Sequence, residues 1–143
     1  MQLHLKHPLE PESAHRHAAD IVAAAADISG ADLDYSPDSI DLVEDIVDGF
    51  RAAGVTGEEL ADSLVGFGCY VGEILTRHAG GAWRRAPSAH QTVPLVVELP
   101  GALECHPIDW VFCRLEFGGD VSIRGLYTAA GAVNRPASEH PGD

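Results

Sequence analysis

The sequence predicts an α+β fold: an N-terminal layer of three helices packed on a small antiparallel sheet of about three strands, with one or two C-terminal helices. Two observations carry this expectation. Apolar residues recur at spacings of three and four up to about His78, the period of a helix with one buried face. From Trp83 they recur at spacings of two, the period of a half-buried strand. Between these stretches lie Gly30, Pro37, Gly54, Gly80-Gly81, Pro100-Gly101, Pro107 and Gly118-Gly119, which divide the chain into elements.

The first helix starts near Pro11 and presents Ala14, Ala18, Ile21, Val22, Ala25 and Ile28 on one face, ending at Gly30. Alanine buries little area, so this helix is expected to pack close to its neighbour with little hydrophobic energy per residue. Ser36 is an N-cap and Pro37 a first helical residue for the second helix, which runs to Gly54. Its apolar residues Ile40, Val43, Ile46, Val47 and Phe50 fall opposite Asp38, Asp41, Asp45 and Asp48. Thr56 and Glu59 have the spacing of a capping box for the third helix. That helix contains Gly66, Gly68 and Gly72, each costing about 1 kcal/mol against alanine. The compensation expected for them is close approach, with Ala61, Val65, Gly68 and Gly72 lining a stripe where another backbone packs.

Trp83 to Ala86 reads as a short strand and Val93 to Leu99 as a second, whose Pro94 marks an edge or a strand start. Side-chain parity sets the next hairpin. A three-residue loop, Pro100-Gly101-Ala102, pairs Leu99 with Leu103 and Val97 with Cys105, whereas a two-residue loop would set Leu103 against Glu98. Pro107 opens a helix carrying Ile108, Val111, Phe112 and Leu115, and Gly118-Gly119 ends it. Val121 to Tyr127 fits either a helix capped by Asp120 or a strand, and the helix is preferred.

With 45% hydrophobic and 22% charged residues, the chain suits one domain over 1–143, with a loose arm over 1–10 and a frayed tail over 132–143. No apolar run approaches the roughly 20 residues of a membrane span. Met1 to Lys6 carries no leader pattern, and the odd cysteine count without a CxxC points to reduced thiols, so the expected location is the cytoplasm. The net charge is −13, and residues 27–62 hold eleven carboxylates against Arg51 alone, −10 of that total. Such a balance argues against nucleic acid and for a basic partner protein, if any. The preference for arginine over lysine, with many alanines and glycines, is similar to the bias of a GC-rich bacterial genome; halophilic acidification is the alternative.

The stretches Leu33-Asp34-Tyr35-Ser36-Pro37-Asp38-Ser39-Ile40 and Gly68-Cys69-Tyr70-Val71-Gly72-Glu73-Ile74-Leu75, followed by Gly80-Gly81-Ala82-Trp83, carry a resemblance. They resemble a family of small bacterial proteins with no assigned activity, patterned as a YSPxSL helix start, then GxYxGE, a tryptophan strand and a proline-opened helix. The resemblance covers roughly two thirds of the chain. It implies the same layout of helices followed by a hairpin. His106 stands where that family has an asparagine before the proline, so any role of the asparagine is not carried over.

Three groups of residues are candidates for chemistry. Glu73 sits among Tyr70, Val71, Ile74 and Leu75 with Arg77 four residues on. The simpler reading is a helical ion pair contributing about 0.2–0.5 kcal/mol; the alternative makes Tyr70, Glu73 and Arg77 the polar groups of a ligand pocket beside the glycines. The hairpin register sets Glu98 across from Glu104, with His106 two residues along. Two carboxylates and an imidazole are few ligands for a metal, so these side chains are expected to splay into water, the alternatives being a held cation or a shared proton. Asp38, Asp41, Asp45 and Asp48 form a solvated stripe or, alternatively, a docking surface.

His15 and His17 point about 200° apart on a helix and so cannot chelate one ion together; with His4 and His7 they are expected at the surface. Cys69 and Cys113 read as core, while Cys105 and His106 project to opposite faces of a strand and form no dyad. The sequence holds no GxSxG, GxxxxGK, HExxH or dinucleotide fingerprint, and Asp32 to Ser36 lacks the glycine and distal glutamate of a calcium loop. The expected function is therefore a small protein-interaction module without a cofactor or catalytic residue; the alternative is a small-molecule binder or enzyme using Tyr70, Glu73 and Arg77.

Overall fold

A computed structural model describes residues 10–85, 95–101 and 103–133. The elements are α1 (Ala14–Ser29), α2 (Ile40–Ala52), α3 (Ala61–His78), β1 (Ala82–Arg85), β2 (Leu95–Leu99), β3 (Leu103–Cys105), α4 (Pro107–Phe117) and α5 (Ile123–Val133). The three strands form one antiparallel sheet in the order β1-β2-β3. The α+β class and the order of elements match the change of hydrophobic period. Expectations for residues 1–9, for Ala86, Val93, Pro94 and Ala102, and for residues 134–143 lie outside the described residues. Among the described residues no helix is long and apolar enough to cross a membrane.

The helix starts follow their local chemistry. The Ser36 hydroxyl accepts the Ser39 N–H at 3.2 Å, and Pro37 opens the turn that leads into α2. Thr56 and Glu59 bond reciprocally: Glu59 Oε1 accepts the Thr56 N–H at 3.0 Å, and Thr56 Oγ1 accepts the Glu59 N–H at 3.2 Å. The helix preferred for 121–127 forms from Ile123 onward, and its cap is Ser122, whose Oγ accepts the Gly125 N–H at 2.9 Å. Asp120, the expected cap, lies in the preceding 3₁₀ turn. At the other end α5 continues to Val133, past the expected start of the tail.

α3 is the centre of the molecule. Every residue from Leu64 to Leu75 is buried, as expected of a helix that meets neighbours on all sides. Its glycines lie where those neighbours approach. Gly66 faces Ile21 and the His17 carbonyl of α1, and a Cβ on Gly68 would overlap the Ile108 backbone of α4. Gly72 faces the Trp83 indole of β1, so the expected stripe of backbone contact holds at Gly68 and gives way to an aromatic ring at Gly72.

The face of α1 differs from the expectation at two positions. His17, expected at the surface, is only 7% exposed, because it lies three residues from Ala14 and four from Ile21 and shares their buried face. Ile28 is 83% exposed, so the buried face ends at Ala25. In α2, Ile40, Val43 and Val47 are fully buried, with Ile46 and Phe50 partly so.

The hairpin register is that of the three-residue loop: Leu99 pairs with Leu103, Glu98 with Glu104 and Val97 with Cys105. On the other side Trp83 pairs with Val97, so β2 is the central strand and not an edge. Trp83, Val97, Leu99 and Cys105 pack with Leu75 of α3 and Ala130 of α5.

Candidate functional site

The structure brings Tyr70, Glu73 and Arg77 together, with Tyr35, Ser39 and Trp83 added to them. Tyr70 is fully buried, and its hydroxyl accepts the Tyr35 N–H at 2.8 Å and lies 2.6 Å from Ser39 Oγ. The Ser39 hydroxyl donates to the Ser36 carbonyl at 2.6 Å. Its one proton being used there, the Tyr70 O–H donates to Ser39. A relay from the Tyr35 amide through Tyr70 and Ser39 to Ser36 therefore satisfies each buried group. Burial holds the Tyr70 hydroxyl above its ordinary pKa, so it stays a neutral donor.

Tyr35 has φ 63°, a left-handed conformation that is unfavourable for a bulky side chain. Four contacts hold it there. Tyr70 takes its N–H, His78 Nε2–H donates to its carbonyl at 3.0 Å, and its ring lies 4.9 Å from that of Tyr70. The Arg77 guanidinium sits 3.7 Å from its ring centroid. Arg77 also reaches Glu73 at 3.5 Å, while the other Glu73 oxygen accepts the Trp83 indole N–H at 2.8 Å. Glu73 is 8% exposed, and a carboxylate so buried requires such partners. Tyr70, Glu73 and Arg77 thus clamp the loop before α2 and the strand β1 onto α3.

The aspartates of α2 are partly committed to the C-terminal helices. Arg114 of α4 forms a fork with Asp48, Nε to Oδ1 at 2.8 Å and Nη2 to Oδ2 at 2.7 Å, and donates to the Val121 carbonyl at 2.7 Å. This bonding holds the Asp48 carboxyl below its ordinary pKa and the Arg114 guanidinium above its own. Glu44 lies 3.6 Å from Arg114, and its Oε2 accepts the Ile123 N–H at 2.6 Å and the Arg124 N–H at 3.2 Å. A carboxylate at that position satisfies orphan amides of α5 and complements the helix dipole. Arg124 then reaches Asp38 at 2.9 Å and Asp41 at 3.5 Å. Of the four predicted aspartates, Asp45 makes no ion pair among the described residues.

Glu98 and Glu104 face each other as predicted, but they do not splay into water. Arg84 of β1 lies between them, with Nε 3.1 Å from Glu98 and Nη2 3.2 Å from Glu104. His106 Nε2 approaches Glu104 at 3.3 Å, and its Nδ1 lies 3.9 Å from Asp109, whose carboxyl burial pushes above its ordinary pKa. The cation between the glutamates is thus supplied by the chain. Among the described residues no group of three or more His, Cys, Asp or Glu is disposed to hold a metal ion.

Cys69 is fully buried, its thiol pushed up to about 12 by burial and then by Glu73; Cys105 is also buried and Cys113 half-buried. The described residues include the lining of two surface clefts. One of about 200 Å³ lies between α1 and α3, lined by His17, Asp20, Asp62 and Ser63. Another of about 470 Å³ lies between the turn before α3 and α4. Neither includes Tyr70, Glu73 or Arg77.

Arg84, Arg114, Arg124 and Trp83 were missed as partners in the sequence. A usable sign existed for Arg114: it follows Val111 and Phe112 and precedes Leu115, and an arginine so placed needs a carboxylate nearby. Tyr35 carries no such sign, since neighbouring residues do not announce a left-handed φ outside glycine and asparagine. Compared with known proteins, the chain matches no family model, no curated protein and no solved structure.

Proposed function

We propose that the chain is a small protein-binding module that docks a basic partner through exposed carboxylates. The observation that carries this reading is the surplus of charge left after internal pairing. Arg114 and Arg124 engage Glu44, Asp48, Asp38 and Asp41, yet Asp27, Asp32, Asp45, Glu58, Asp62 and Glu116 are exposed and make no ion pair among the described residues. Like charges unpaired on so small a domain repel one another, and a cationic partner relieves that repulsion. The alternative, a small-molecule pocket or enzyme at Tyr70, Glu73 and Arg77, has less support because their polar atoms already bond one another and neighbouring elements.

Affinity capture from cells, with each captured protein identified and rebound in purified form, tests the reading. The expected partner is basic, and its binding falls steeply between about 0.05 M and about 0.5 M salt as the screening length shortens. Binding that survives the higher salt, or that a folded Glu73→Gln variant abolishes, overturns it in favour of the alternative.

A further inference from the structure

The cleft between α4 and the turn before α3 lies beside carboxylates that make no ion pair among the described residues. Its less exposed lining is apolar, Val55, Gly57, Phe112 and Leu115, and its exposed lining is polar, Thr56, Glu58 and Glu116. Both glutamates are exposed and make no ion pair among the described residues. Gly57 is not among the positive-φ residues, so the backbone does not require glycine there. A Cβ at that position would sit 3.6 Å from the Phe112 ring, an ordinary contact, so nothing forbids a side chain either. The consequence of the missing side chain is an open floor. At about 470 Å³ the cleft falls within the range of about 300–1,000 Å³ typical of binding pockets, whereas the α1/α3 cleft at about 200 Å³ falls below it.

An apolar centre with a charged rim is the anatomy of a contact patch in which one buried side chain contributes most of the affinity. We propose that this notch between the turn before α3 and α4 receives an apolar side chain of a basic partner, flanked there by arginines or lysines that meet Glu58 and Glu116. The inference rests on the acidic docking reading and gives it a location. The stripe on α2 is the poorer location, since Asp38, Asp41 and Asp48 already hold arginines of the same chain. A neutral apolar partner would leave the two glutamates beside a desolvated contact without compensation, and an acidic one would be repelled.

Two capped pentapeptides test the notch: one with leucine flanked on each side by two arginines, the other with serine in place of leucine. Each is titrated into isotopically labelled protein at about 0.05 M salt, with amide chemical shifts as the readout. The leucine peptide is expected to bind about tenfold more tightly, as burial of one aliphatic side chain implies. Its shift changes are expected to centre on Val55 to Glu58, Phe112, Leu115 and Glu116. Gly57→Leu, which fills the floor, should remove that advantage and leave the serine peptide unaffected, while joint Glu58→Gln and Glu116→Gln should weaken both. Equal affinities for the two peptides in the unmodified protein, or shifts centred on α2, overturn the notch and leave acidic docking standing. If neither peptide binds, acidic docking itself is overturned.

Discussion

α3 and α2 are neighbours in sequence, yet opposite physics holds them in place. α3 is enclosed on all sides, and its glycines let Ile108 and Trp83 approach more closely than any side chain would permit. α2 buries one face and is joined on the other to α4 and α5 by Arg114 and Arg124. Close packing is indifferent to salt and intolerant of an added atom. Charge pairing tolerates added atoms at the surface but responds to salt, to pH and to loss of one partner.

The largest test of this difference is the same substitution made in each helix. Gly68→Ala forces a Cβ into the Ile108 backbone and is expected to destabilise by about 3 kcal/mol. The helix-propensity gain of about 1 kcal/mol does not offset it. Gly49 of α2 has open space around it, so Gly49→Ala should stabilise by about that same 1 kcal/mol. Urea unfolding midpoints measure both. Shifts of the same sign would dissolve the distinction between the two helices.

Next in size is Arg114→Ala, which leaves Asp48 and the Val121 carbonyl without their donor and Glu44 without its cation. The pair with Glu44 is largely buried but Asp48 is not, so a loss of about 2–3 kcal/mol is expected, below the roughly 3–5 kcal/mol of fully buried pairs. The deficit should shrink as salt rises, because salt weakens the parent protein and has less left to screen in the variant. A deficit independent of salt would mean that Arg114 acts through packing of its stem.

The smallest effect is in the acid limb. The bonds from Arg114 hold Asp48 below its ordinary 3.8. A carboxylate depressed in the native state contributes stability that is complete above the unfolded pKa and is lost as pH falls through the native one. Asp48→Asn should therefore flatten part of the decline in stability below about pH 4. Asp34 and Glu59, also depressed, and Asp109, which is raised and so acts with the opposite sign, cancel in the difference between parent and variant. Identical acid limbs would show that the fork with Arg114 does not persist in solution.

The sequence by itself determined the elements and much of their local geometry. The period changes near Trp83, Ser36 with Pro37 and Thr56 with Glu59 start their helices, and the parity of Leu99, Leu103 and Cys105 sets the hairpin register. These features act over a few residues, so they are legible in a window of that width. The tertiary structure alone decided the rest: the burial of His17, the left-handed Tyr35, Arg84 between Glu98 and Glu104, and the arginines that hold α5 to α2. Arg114 finds Asp48 across 66 positions and Arg124 finds Asp38 across 86. A charge has no period and no preferred neighbour along the chain; its partner is whichever opposite charge the packing of apolar faces brings within reach.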